Sequence, residues 1–135
     1  MSGQRYSGSC HCGAVAFEVM VDAEELTSCD CSLCTKKNAL MVRVPETALR
    51  FVRGEEALAT YQWNTGRAKH HFCRHCGIYT FHRKRIDPTS FGVNAFCLEG
   101  FDIAALPTRR ADGRSMSTVV HDEKDRVSCL GGFEV

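Results

Sequence analysis

Apolar and polar positions along the chain alternate in short bursts and seldom recur at helical spacing. "GAVAFEVMV" (13–21) alternates in part and is rich in Val and Phe, which predicts a strand. "ALMVRVP" (39–45) predicts a second, ended by Pro45, which lacks the N–H that a ladder needs. "LRFVRG" (49–54), "LATYQWN" (58–64), "KHHFCR" (69–74) and "GIYTFHR" (77–83) have similar character, and "SFGVNAFCL" (90–98) is the last clear strand. Turn signals fall at Asn64-Thr65-Gly66, Asp87-Pro88 and Glu99-Gly100. Helix signal is thin. "SLCTKKNAL" predicts one or two turns from Ser32 as N-cap, and "PETAL" a turn starting at Pro45. Beyond Ala104 the pattern is mixed, and "RRADGRS" reads as an exposed loop. With no repeat or linker, the expectation is one mainly β domain over residues 1–135, with at most short helical turns.

Composition changes this picture in one respect. The net charge of +1 points to neither nucleic acid nor a membrane surface, and no apolar run could span a bilayer. "MSGQRYSGSC" offers no apolar stretch after a basic start, so a cytoplasmic location is expected. The nine cysteines in 135 residues are the abnormal number. A disulfide-rich secreted scaffold is disfavoured by the odd count and the missing signal. Spacing adds to this, because Cys10/Cys12 and Cys29/Cys31 stand two residues apart, which strains a bridge between them.

"SCHCG" and "FCRHCGIY" each offer two thiols on a tight turn followed at once by glycine, Gly13 or Gly77. Glycine accepts backbone conformations that let a chain wrap closely round an ion. Cys10, Cys12, Cys73 and Cys76 thus predict a closed structural zinc site, the two halves clasping a large loop. Four cysteines would also suit an iron–sulfur cluster, and Cys73-x-x-Cys76 a redox pair, though no βαβ pattern surrounds it.

"SCDCSLC" (28–34) leaves three more thiols, Cys29, Cys31 and Cys34. Three protein ligands with an exchangeable fourth position is the pattern of a catalytic zinc, which activates a bound water or thiol. Equally, Cys97 or a histidine such as His70 or His71 could close the site and make it a second staple. Cys129 reads as a buried free thiol.

With both clusters in view, the sequence resembles the glutathione-dependent formaldehyde-activating enzyme family, which includes the centromere protein V type of domain. "GSCHCGAVAFEV", "CDCSLCTKKNA", "FCRHCGIYTF" and "GVNAFCLEGFD" carry the resemblance over roughly residues 8 to 102. Leu98-Glu99 stands where the family has Leu-Asp, and the part after Ala104 matches poorly, without the tryptophan-bearing ending common in the family.

The resemblance implies a mainly β, tent-like arrangement of short antiparallel strands stapled by two zinc ions. Cys10, Cys12, Cys73 and Cys76 would hold the structural one and Cys29, Cys31 and Cys34 the catalytic one. It also implies a carbon–sulfur lyase-like activity that forms S-(hydroxymethyl)glutathione from glutathione and formaldehyde. Glutathione carries two carboxylates, so cations should line its site. Lys36 and Lys37, directly after the cluster, are the first candidates, with Arg67, Lys69 and Arg83 behind them and Asn94 as a polar residue directed into the cleft. Adjacent His70 and His71 should face opposite sides of a strand. Phe72, Tyr79, Phe81, Phe91 and Phe96 read as core. Competing readings are a non-catalytic zinc module, a thiol-binding protein and a redox or metal-buffering protein. A nucleic-acid binder is disfavoured, because "HRKR" (82–85) is the only dense basic patch.

Overall fold

In the computed structural model the described residues are 3–29, 32–62, 69–84 and 89–111, the side chains of Cys29, Ser32 and Ala111 excepted. The chain is mainly β. It forms strands β1 (Gln4–Ser9), β2 (Ala16–Val21), β3 (Leu26–Cys29), β4 (Met41–Pro45), β5 (Leu49–Arg53), β6 (Leu58–Tyr61), β7 (Lys69–Cys73), β8 (Tyr79–Arg83), β9 (Ser90–Asn94) and β10 (Thr108–Ala111). One short helix, α1 (Ser32–Lys37), follows β3. Single 3-10 turns after Pro45, Gly54, Asn94 and Asp102 connect the strands. None of the described helices is long and apolar enough to cross a membrane.

Two sheets result: a three-stranded one in the order β1-β2-β5, and a seven-stranded one in the order β10-β3-β4-β9-β8-β7-β6. All pairs are antiparallel except β10 with β3. In β2 the residues Phe17, Val19 and Val21 alternate inward, as a half-buried strand must. β9 lies between β4 and β8, and all five of its residues, Ser90 to Asn94, are buried. The sheets meet on Phe81, whose ring contacts Phe17 and Phe51 from the small sheet and Phe91 from its own. A bridge from Gly8 to Leu98 ties them again, and a Cβ on Gly8 would come within 2.6 Å of the Phe17 ring.

The expected strands at 13–21, 39–45, 49–54, 58–64, 69–74, 77–83 and 90–98 are present, most of them shorter than the apolar pattern. The expected helical turns at Ser32 and Pro45 are present too. Three strands carry little pattern of their own. β1 (QRYSGS) is mostly polar, β3 has four residues, and β10 includes Arg109 and Arg110, which the sequence reads as loop. The turn signals at 64–66 and 87–88 lie outside the described residues.

Candidate functional site

The four-thiol centre is built from two similar turns. After β1, the Cys10 amide donates to the Val15 carbonyl; at the end of β7, the Cys73 amide donates to the Ile78 carbonyl. Each turn therefore closes over five residues, and in each the residue after the second cysteine takes a left-handed conformation, Gly13 at φ 82 and Gly77 at φ 78. The amides turned inward point at sulfur: Val15 N–H to Cys10 Sγ at 3.4 Å and His75 N–H to Cys73 Sγ at 3.3 Å. Arg53 of β5 braces the first turn by donating from Nε to the Gly13 carbonyl at 3.0 Å.

The sulfurs of Cys10, Cys12, Cys73 and Cys76 lie within 4.8 Å of one another. Cys12 Sγ is 3.7 Å from Cys10 Sγ and 3.7 Å from Cys73 Sγ, and neither contact is a disulfide. A single tetrahedral ion with metal–sulfur bonds of about 2.3 Å requires sulfurs about 3.8 Å apart. A multi-iron cluster would spread its ligands further. Protonation tells the same story. Burial raises the Cys76 thiol, but the amides of Cys12, Ile78 and His11 with the Cys73 thiol bring it down to about 6. The Ala14 amide lowers Cys12, yet burial and the three neighbouring thiols drive it up to about 11. Sulfurs this close cannot all ionise unless a cation sits among them, so the cluster could hold a metal ion.

The second cysteine run sits at the junction of β3 and α1. Cys29 ends β3, Cys34 lies in α1 with its side chain partly exposed, and Cys31 is outside the described residues. Cys34 and Lys37 are three apart on α1 and so share a face. Lys36 is exposed. The Lys37 ammonium is buried instead, 3.9 Å above the centre of the Tyr79 ring.

Tyr79, at the start of β8, joins several of the expected residues. Its hydroxyl lies 3.0 Å from Nδ1 of His70, which is 6% exposed, and His70 stacks on His82 with ring centres 5.2 Å apart. The Tyr79 carbonyl accepts from Asn94 Nδ2 at 2.9 Å and from the Cys97 thiol at 3.4 Å. Asn94 Oδ1 in turn accepts from the Phe96 amide at 3.2 Å, so this amide caps the turn after β9 as well as holding Tyr79. Burial, then the nearby Cys10 and Cys76, push the Cys97 thiol up to about 11.

His71 faces the other way from His70, as alternation requires, with Nδ1 3.0 Å from Thr60 Oγ1 and its ring against Phe81. Burial, with Arg83 and Lys69 nearby, lowers its pKa. Arg83 is paired with Glu46 at 2.7 Å, Lys69 is exposed, and Arg67 is outside the described residues. Phe81 and Phe91 are core; Phe72 and Tyr79 are half-buried. Phe96 is 61% exposed and corrects the expectation that it is core. The role of Tyr79 as a hub is what sequence reasoning missed. Its only signal is the interleaving of His and aromatic residues in "HHFCRHCGIYTFH".

A small β protein whose two cysteine turns bring four thiols within 4.8 Å of one another belongs among proteins with a sheet-borne candidate metal centre. The comparisons narrow this to one family. The chain matches "Glutathione-dependent formaldehyde-activating enzyme" over residues 5–119 and belongs to that family. It is also similar to a solved structure described as a Rhodobacter sphaeroides protein. The two are 42% identical with a TM-score of 0.71, over 76% of this chain and 99% of that one.

Proposed function

We propose that the protein is a zinc-dependent, carbon–sulfur lyase-like protein acting on glutathione and formaldehyde or a related small electrophile. The observation that carries the reading is the self-sufficiency of the first cluster. Cys10, Cys12, Cys73 and Cys76 supply four ligand atoms among themselves, which leaves Cys34 outside that set, on the α1 face from which Lys37 reaches Tyr79. With Cys29 and Cys31, its neighbours in the sequence, Cys34 would make up a three-thiol set suited to a second zinc with one exchangeable position. The family match supports glutathione as the thiol.

Zinc bound at that set would supply the Lewis acidity that keeps an incoming thiol in its nucleophilic, deprotonated form. The chain's own residues orient the rest. Exposed Lys36 is available for a glutathione carboxylate. Lys37 places its charge against the wall formed by Tyr79, and Asn94 fixes that wall through the Tyr79 carbonyl. In the reaction the glutathione sulfur bonds to the formaldehyde carbon, the carbonyl electron pair moves to oxygen, and the proton lost by the thiol completes the hydroxymethyl group.

Calorimetric titration of glutathione into wild type and Cys31→Ser tests this, together with a formaldehyde-dependent rate measured above the spontaneous addition. Saturable binding that Cys31→Ser abolishes, with an enzymatic rate, is the expected result. Two tightly held zinc ions with no thiol binding would contradict it and favour a non-catalytic zinc module.

A further inference from the structure

The contacts around Tyr79 exceed what a packing residue requires. Its ring is half-buried, its face is covered by the Lys37 ammonium at 3.9 Å, and its hydroxyl meets His70 Nδ1 at 3.0 Å. His70 is buried and its ring plane is set by stacking on His82. Room for His82 comes from Gly92, where a Cβ would lie 2.5 Å from the His82 ring. The Tyr79 backbone is pinned separately, through its carbonyl, by Asn94 and Cys97. A cation, a phenol and a buried imidazole thus stand in series, starting from the helix that carries Cys34. Such a series can hold and move a proton.

We propose that the Tyr79 hydroxyl, positioned by His70, is the proton donor to the oxygen that develops when a thiolate adds to a small carbonyl compound. The inference rests on the glutathione–aldehyde reading and adds the group that completes the reaction. As the new carbon–sulfur bond forms, the π pair of the carbonyl becomes an alkoxide lone pair. The phenolic O–H bond then breaks and its proton passes to that oxygen. As His70 Nδ1–H returns a proton to the phenolate, His70 Nε2 takes up the proton the thiol released, so no imidazolate forms and the ring regains its starting tautomer by exchange with water. No oxidant or reductant is needed, and the proton count closes. Lys37, over the ring face, favours the transient negative charge on the phenol. His70, His82 and Lys37 are positioning residues in this scheme.

Tyr79→Phe is the clean test, because it keeps the ring under Lys37 and the carbonyl used by Asn94 and Cys97. Glutathione affinity by calorimetry should stay within about twofold of wild type, while the formaldehyde-dependent turnover falls by roughly 100-fold. His70→Ala should fall similarly, His70→Asn should recover part of the rate by restoring an N–H near the Nδ1 position, and Tyr79→Phe/His70→Ala should be no slower than either single variant. A long-range nitrogen–proton NMR spectrum should show His70 Nδ1 protonated in wild type and shifted in Tyr79→Phe. Turnover at the wild-type rate in Tyr79→Phe, with wild-type glutathione affinity, would overturn the donor role alone. Wild-type protein that binds no glutathione would overturn the underlying reading and this inference with it.

Discussion

Cys12 Sγ and Cys73 Sγ lie 3.7 Å apart although 61 residues separate them in sequence. That spacing suits two thiolates sharing one ion, which would then tie the first strand to the β7–β8 hairpin. Metal removal should therefore act on the whole fold. Cys73→Ser is expected to lose the first-site metal and to destabilise the protein by more than about 3 kcal/mol, since binding at a structural site is folding free energy. Metal content and urea unfolding of the purified variant check this together.

Gly54 couples the small sheet to the same centre. Its φ is 83, and a Cβ there would sit 1.8 Å from the Ala14 carbonyl oxygen, inside the first cysteine turn. Backbone cannot yield as a side-chain tip can. Gly54→Ala is therefore expected to cost about 2 kcal/mol or more and to weaken first-site metal binding as well. Competition for zinc against a chromophoric chelator, beside thermal unfolding, measures both.

The raised pKa of Cys97 gives a pH prediction. In the fold the thiol holds its proton up to about 11, against an ordinary 9.0. The folded state then binds the proton more tightly than the unfolded one. Its contribution to stability is full below pH 9 and is lost as pH rises toward 11. Cys97→Ser, which keeps a donor to Tyr79 O, should flatten that alkaline loss. In wild type at pH 8 iodoacetamide should leave Cys97 unmodified, since the thiol is buried and its pKa is raised. Peptide mapping by mass spectrometry reads the label.

Phe96 and Phe81 should behave oppositely. Phe96 is 61% exposed beside the Asn94 cap, so Phe96→Ser is expected to change stability by less than about 0.5 kcal/mol. Phe81 joins the two sheets, and Phe81→Ala should cost about 3–5 kcal/mol. Paired denaturation curves decide.

What the sequence displayed and what it hid have separate physical causes. The cysteine turns are legible because a four-thiol site fit for a metal ion needs a set residue type, spacing and following glycine, all within five residues. The strands β2, β4 and β9 are legible because one or both faces are buried. β1 and β10 lie at sheet edges, and β10 draws its place from parallel pairing with β3, more than 75 positions earlier, which no local period announces. The sequence marks Asn94 as a polar residue directed into the cleft, whereas the partners that hold its buried amide, Tyr79 O and the Phe96 amide, leave no local signal. The Tyr79 cluster depends on a register shift between His71 and Phe72 that changes how β7 meets β8, and alternation rules do not foresee such a shift. Phe96 reads as a continuation of β9 until Asn94 caps a 3-10 turn and turns it outward.

On the proposed reading, one thiol centre is closed and the other open to glutathione. Zinc X-ray absorption of the protein, with and without glutathione, tests it most directly. A four-sulfur site and a three-sulfur site average about 3.5 sulfur neighbours per zinc, and the average should rise to about 4 when a glutathione thiolate enters the open position. Four sulfurs per zinc before glutathione is added, or an average that glutathione leaves unchanged, would contradict the account.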